Sequence, residues 1–235
     1  QLSDKLKSHN LWLVAHFTTI TGTIVCVKGS LTTQNHYDSF CFSLAVHSII
    51  FTYVVVVYRH IVCMQSISTP SSGSGLHKDS LTFSRIVMTE NFYLLVLAIL
   101  CNTTAMNSLK LGSFALYSLL NVSDYISKTF QHWNVVVSVS PFLDYLETPL
   151  LHFAGWMDFC VIFVYFYEGV ALGNYSAFLL YGFIFLLRLE SSGSIQLALI
   201  EIVLLFDNLV IAGLNKTILT TMNFQIPRIS QLLLE

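Results

Sequence analysis

Three ionisable side chains interrupt runs that are otherwise apolar: Asp158 and Glu168 in one run, Arg188 at the end of the next. A charge at membrane depth is costly, so it marks an ion or proton pathway, or else it is held by an opposite charge. If the two runs are antiparallel arms, Asp158 and Arg188 reach similar depth, and the expectation is a structural ion pair between them. The competing expectation is a transporter or membrane enzyme that uses Asp158, Glu168 and Arg188 together. Further along, Gln196, Glu201, Asp207 and Asn208 project, at about 100° per residue, into an arc of roughly 140°. They form the polar face of an amphipathic helix. Gly112, Ala115 and Ser118 make a small-residue stripe suited to close helix packing, within the chain or in a homo-oligomer.

No other pattern points to chemistry. The 8 histidines form no HxxHH or HExxH motif and no i,i+4 pair that would hold a metal on one helix face. His47 and His152 come nearest to haem ligands, yet nothing in their spacing pairs them. The 5 cysteines, Cys26, Cys41, Cys63, Cys101 and Cys160, show no CxxC spacing. Cys26 and Cys41 flank the first loop, where a disulfide would require a lumenal face. The sequence has neither a glycine-rich phosphate loop nor a nucleophile elbow. The expectation is a protein without catalytic residues, cofactor or metal, and not an enzyme. With 11 Lys and Arg against 13 Asp and Glu there is no basic stripe, which excludes nucleic acid as a partner.

The elements that must position these residues follow from composition. A chain with 54% hydrophobic and 10% charged residues, and a mean hydropathy of +0.69, is not an ordinary soluble domain, in which about a quarter of residues are charged. The expected fold is all-α: a single polytopic membrane domain, 1–235, of about six short membrane helices with cytosolic interfacial amphipathic helices. Apolar runs place the spans near 11–27, 39–58, 92–106, 111–127, 153–172 and 175–189. The first is too long for a signal-peptide h-region, and no small-residue cleavage site follows it. The centre of the arrangement is the hairpin of 92–106 and 111–127, whose arms meet at the polar pair Asn107-Ser108. At ~1.5 Å per residue each arm reaches only ~25 Å, less than the ~30 Å hydrocarbon core.

Interfacial helices are expected near 141–148 and 195–214. Ser140-Pro141 reads as an N-cap with proline at the first helical position, and Pro149 as the stop. A Ser-Thr-Pro-Gly tract within 66–80 reads as a flexible linker. Lys5 and Lys7 precede the first span and Arg59, Lys78 and Arg85 follow the second, with only Lys28 between, so both termini and the linker are expected in the cytosol. Sequons at Asn102, Asn121, Asn174 and Asn215 are expected to carry no glycan, being inside a span, cytosolic or too close to the membrane.

The order of segments and several local stretches resemble the transmembrane-protein-33 family, which includes the fungal pore-membrane proteins. The matching residues are Trp12-Leu13, Tyr37, Phe114-Ala115-Leu116-Tyr117-Ser118-Leu119-Leu120 with Tyr125, Ala177-Phe178-Leu179-Leu180-Tyr181, Arg188, Glu201 and Asp207. Leu189 departs from the pattern, standing where the family tends to have an aromatic residue, and Gly182 and Glu190 replace its usual basic residues. The resemblance implies a non-enzymatic multi-pass protein of the endoplasmic reticulum membrane and nuclear envelope. It would associate with reticulon-type membrane-shaping proteins and, through nucleoporins, support nuclear pore complex organisation. The physical counterpart of that role is that short arms with interfacial helices, acting on the lipid bilayer itself, shape or sense membrane curvature.

Overall fold

The computed structural model describes residues 2–32, 38–67 and 89–213, and the regular structure among them is entirely helical. Among the described residues there are seven helices: α1 Leu2–Thr32, α2 Asp38–Ile67, α3 Glu90–Thr103, α4 Leu109–Thr129, α5 Asn134–Leu172, α6 Tyr175–Ser191 and α7 Gly193–Gly213. Of the expected linker over 66–80, Ser66 and Ile67 end α2 and the rest lies outside the described residues, as do Tyr37 and Asn215.

Among the described residues three stretches are long and apolar enough to cross a membrane: Asn10–Leu31, Ser39–Cys63 and Val136–Leu172. A fourth crossing is reached only if Tyr175–Ser191 and Gly193–Asp207, bent at Ser192, are taken together. The structure therefore carries three to four candidate spans where six were expected. The shortfall lies mainly in the central hairpin. α3 is apolar but has only 14 residues, about 21 Å of helix, and α4 carries Lys110, Ser113, Ser118, Asp124 and Lys128 among its 21 residues.

A second correction concerns 141–148. No separate helix stands there: α5 runs through Pro141 and Pro149 for 39 residues, and Ser140 lies inside it. A proline removes one N–H and crowds the preceding turn, yet helices in apolar surroundings tolerate it because freed carbonyls find other donors. At ~1.5 Å per residue α5 is about twice as long as a hydrocarbon core is thick. Its two halves differ accordingly. No described side chain from Asn134 to Phe153 is buried, whereas Ala154, Asp158, Val161, Tyr165 and Glu168 turn one face inward at helical spacing.

Third, the chain forms two compact units, Gln1–Ala198 and Leu199–Glu235, rather than one. The physical reason is visible in the later part of α7, where no side chain from Leu199 to Asp207 is buried. Val203, Leu204, Leu205 and Phe206 are all exposed, and four successive residues cover most of a helix circumference. Leu204 also projects inside the supposed polar arc. The polar face at Glu201 and Asp207 is thus interrupted.

Within the first unit the hairpin sits at the centre. α3 packs between α2 and α6, and α4 packs on α1 and α5. The core is built from Phe42, Val46 and Ile49 of α2, Leu94, Leu97 and Cys101 of α3, Leu111 and Phe114 of α4, and Val161, Tyr181 and Phe185 of the α5–α6 pair. Close approach is set by glycines. A Cβ on Gly22 would stand 2.9 Å from Ala45 Cβ, and one on Gly155 would stand 2.5 Å from the Ser194 carbonyl oxygen. α5 ends at Gly173, whose φ of 71° is the left-handed conformation that closes helices and that glycine adopts without strain.

Candidate functional site

The site grows from the two ends of the central hairpin. At its tip, Asn107 Oδ1 accepts from the Leu109 backbone N–H at 3.0 Å, which turns the chain into α4. This local turn carries Lys110 back toward the end of α3. Its ammonium donates to the Thr104 hydroxyl at 2.9 Å and to the Ala105 carbonyl at 2.8 Å, where the C-terminal end of the α3 dipole favours a cation. The third donor direction goes to Glu168 of α5, whose two oxygens lie 2.6 and 2.8 Å away. Both side chains are almost fully buried. The ammonium also sits 4.4 Å from the centre of the Tyr165 ring, a cation–π contact.

At the base, Thr89 caps α3 through its side-chain oxygen, and Glu90 occupies the first turn, where the helix dipole favours an anion. Arg188 occupies the last turn of α6, where the dipole favours a cation. The guanidinium has no exposed surface and reaches Asp158 Oδ2 at 2.8 Å, the Tyr117 hydroxyl at 3.0 Å and Glu90 Oε1 at 3.4 Å. Tyr117 in turn donates to Asp158 Oδ2 at 3.3 Å, and Tyr181 donates to the Asp158 backbone carbonyl at 2.7 Å. Four helices meet in this cluster: α3, α4, α5 and α6.

Between the two ends the rings of Tyr165 and Tyr181 stack with centroids 4.7 Å apart. Asp158 and Glu168 lie about 15 Å apart along α5, so the two ion pairs stand at different depths of one packed interior. A charge pair in such surroundings meets a large desolvation cost, offset here in part by the hydrogen bonds above, although the buried Arg188 Nε finds no partner among the described residues.

The structure thus sets Asp158 against Arg188, and it gives Glu168 to Lys110 instead of to either of them. Lys110 and Glu90 are the members that sequence reading passed over. Lys110 follows a polar turn and reads as solvated, while Glu90 reads as an ordinary first-turn acid. Gln196 does not contribute to a water-facing arc, since its amide donates to the Leu189 carbonyl at 2.9 Å and the Glu190 carbonyl at 3.4 Å. It caps the end of α6, whose last carbonyls have no helical partner. Glu201 is exposed, Asp207 half-buried, and the side chain of Asn208 lies outside the described ones.

In the small-residue stripe Ser118 is buried and Gly112 and Ala115 are half-buried, with Gly112 against the side chain of Met157. His47 bonds to the Ser43 carbonyl one turn earlier at 2.6 Å, and Trp156 donates to His152 at 3.2 Å. All five cysteines are thiols, so no disulfide joins Cys26 to Cys41. Among the described residues no three His, Cys, Asp or Glu side chains gather as a metal-ligating group. Comparison of the chain with family models, with curated proteins and with solved structures finds no match.

Proposed function

We propose that this protein is a non-enzymatic integral membrane protein that shapes or senses membrane curvature, with the short central hairpin as its working part. The observation that carries the reading is that α3, about 21 Å of helix, is held at both ends: at the base its half-exposed Glu90 meets the buried Arg188–Asp158 pair, and just past its tip Thr104 and Ala105 are bonded by Lys110, itself in a buried pair with Glu168. A helix shorter than the hydrocarbon core makes the bilayer thin locally or makes the helix sink from one side. Clamping stops the short element from tilting or sliding away from that mismatch. In this reading 92–106 and 111–127 act as a short hairpin beside the longer spans, so that six membrane segments are present although fewer cross alone. The exposed first half of α5, including 141–148, and the end of α7 lie in the cytosolic interface.

The resemblance to the transmembrane-protein-33 family supports a place in the endoplasmic reticulum membrane and nuclear envelope, with cytosolic termini. It supports partners among reticulon-type proteins and nucleoporins and a role in nuclear pore complex organisation. The alternative, a transporter or membrane enzyme using Asp158, Glu168 and Arg188, is disfavoured by one feature: each of the three is held by an opposite charge within hydrogen-bond distance.

Adding four leucines to each arm of the hairpin lengthens it by ~6 Å and relieves the mismatch. The same insertion moves Lys110 away from Glu168, so Lys110→Met with Glu168→Leu serves as the matched variant that loses the pair without the length. The expected outcome is that the lengthened protein inserts but spreads evenly between flat and highly curved membrane at equal expression, while the matched variant keeps its enrichment on curved membrane. Retained enrichment of the lengthened protein would remove hairpin length as the explanation. Solute flux into proteoliposomes that Asp158→Asn abolishes at a temperature where the variant is still folded would favour transport.

A further inference from the structure

Between the two ion pairs lies a small space of about 10 Å³, lined by Lys110, Ser113, Asp158, Tyr165 and Tyr181 among its polar residues and by Cys101 and Leu97 on the apolar side. That is about the room in which one water centre moves, and a water is retained where two to four polar groups can bond it. The wall supplies them. Both side-chain hydrogen bonds to the Asp158 carboxylate land on Oδ2, from Arg188 and from Tyr117, so that Oδ1 keeps its full accepting capacity. Ser113 is buried, with 2% of its surface exposed, and no hydrogen bond from another described residue reaches its hydroxyl. The Tyr181 hydroxyl spends its proton on the Asp158 carbonyl and keeps a lone pair for a further donor. A carboxylate oxygen with spare lone pairs and a hydroxyl, both on residues that line one small space, are satisfied at once by a shared water.

We propose that this space is a binding site for one internal water, held by Asp158 Oδ1, the Ser113 hydroxyl and the Tyr181 hydroxyl. The water joins the base cluster to the interior facing the tip pair, so the carboxylate of Asp158, a buried residue, is hydrated within the bundle. The proposal concerns the interior alone and stands independently of any role in curvature.

Radiolytic hydroxyl footprinting of the purified full chain in nanodiscs tests it, because a resident water makes hydroxyl radical in place and oxidises the side chains beside it. Tyr165 and Tyr181 line the space and are 1% and 3% exposed, while Tyr53 and Tyr93, each 7% exposed, are buried in the same core without lining it. Bulk exposure alone would make Tyr53 and Tyr93 the faster pair. The expected result is the reverse, with Tyr165 and Tyr181 oxidised several-fold faster, and with Ser113→Val lowering them to the rate of Tyr53 by filling the space with a methyl group. Ser113→Ala, which keeps the room and removes only one partner, should fold as the parent does and retain at least part of the excess. Equal or slower oxidation of Tyr165 and Tyr181 in the parent protein means a dry cavity and overturns the proposal without reference to any variant. An excess that Ser113→Val leaves untouched overturns the site as assigned.

Discussion

Arg188 is the side chain on which most of the buried network converges, and its energetics are asymmetric. Removing one member of a buried pair leaves an uncompensated charge and costs about 3–5 kcal/mol, whereas replacing both by apolar residues of similar size is often neutral. Asp158→Asn leaves the guanidinium with the Tyr117 hydroxyl and a 3.4 Å contact to the half-exposed Glu90. The unfolding temperature of the purified protein in detergent should therefore fall steeply for Asp158→Asn and recover much of the loss for Asp158→Leu with Arg188→Met. The same order is expected at the tip, with Lys110→Met worse than Lys110→Met combined with Glu168→Leu. A double variant as unstable as the single one would mean that these groups hold the fold by more than mutual neutralisation. Such behaviour suits a structural clamp, since a transport site would be expected to lose flux before it lost stability.

Helix contacts distinguish glycines that sequence reading treats alike. Gly155 faces a backbone carbonyl, that of Ser194, whereas Gly112 faces the flexible end of Met157. Gly155→Ala therefore requires α5 and the start of α7 to move apart, and a loss of about 1–3 kcal/mol is expected from overpacking. Gly112→Ala asks only for a new methionine rotamer and should cost much less, a contrast that thermal unfolding of the two variants measures directly. This also marks how far the sequence was legible. Asp158, Glu168 and Arg188 stood out because an ionisable residue in an apolar run must be accounted for, and Asn107-Ser108 stood out as a polar break that the structure places between two helices. Lys110 was hidden by its polar neighbours, since only the fold of the turn brings it under Glu168. Pro141 and Pro149 misled for another reason. Their local signals describe a helix in water, and α5 continues through them in a long apolar helix. At α7, counting polar positions on the wheel overlooked the apolar side chains between them, Leu197 and Leu204, both exposed.

At the scale of the first unit, the contacts fix which turns share an end. Lys110 bonds to Glu168, in the last turns of α5, so the α3–α4 turn lies beside the turn at Gly173. Ser30, near the end of α1, is 3.2 Å from Ser108 in the same α3–α4 turn. At the opposite end Trp12 packs on Tyr125 with centroids 5.7 Å apart, and Glu90 meets Arg188. Asn107 and Asn174 therefore belong to one end and Lys128 to the other. Lys5 and Lys7 in the first turns of α1 and Arg59 late in α2 carry the expectation that the Trp12 end faces the cytosol, from the excess of positive charge on that side. In sealed microsomes, with the native cysteines replaced, Asn107→Cys and Asn174→Cys should both resist a membrane-impermeant maleimide until the membrane is permeabilised, and Lys128→Cys should react at once. Reaction of all three from outside would make the tip cytosolic and turn the hairpin into a loop that enters and leaves by one face. Reaction of Asn107→Cys and Asn174→Cys from opposite sides would be more damaging, because no folding of the chain that keeps Lys110 on Glu168 can set those two turns across a bilayer from each other.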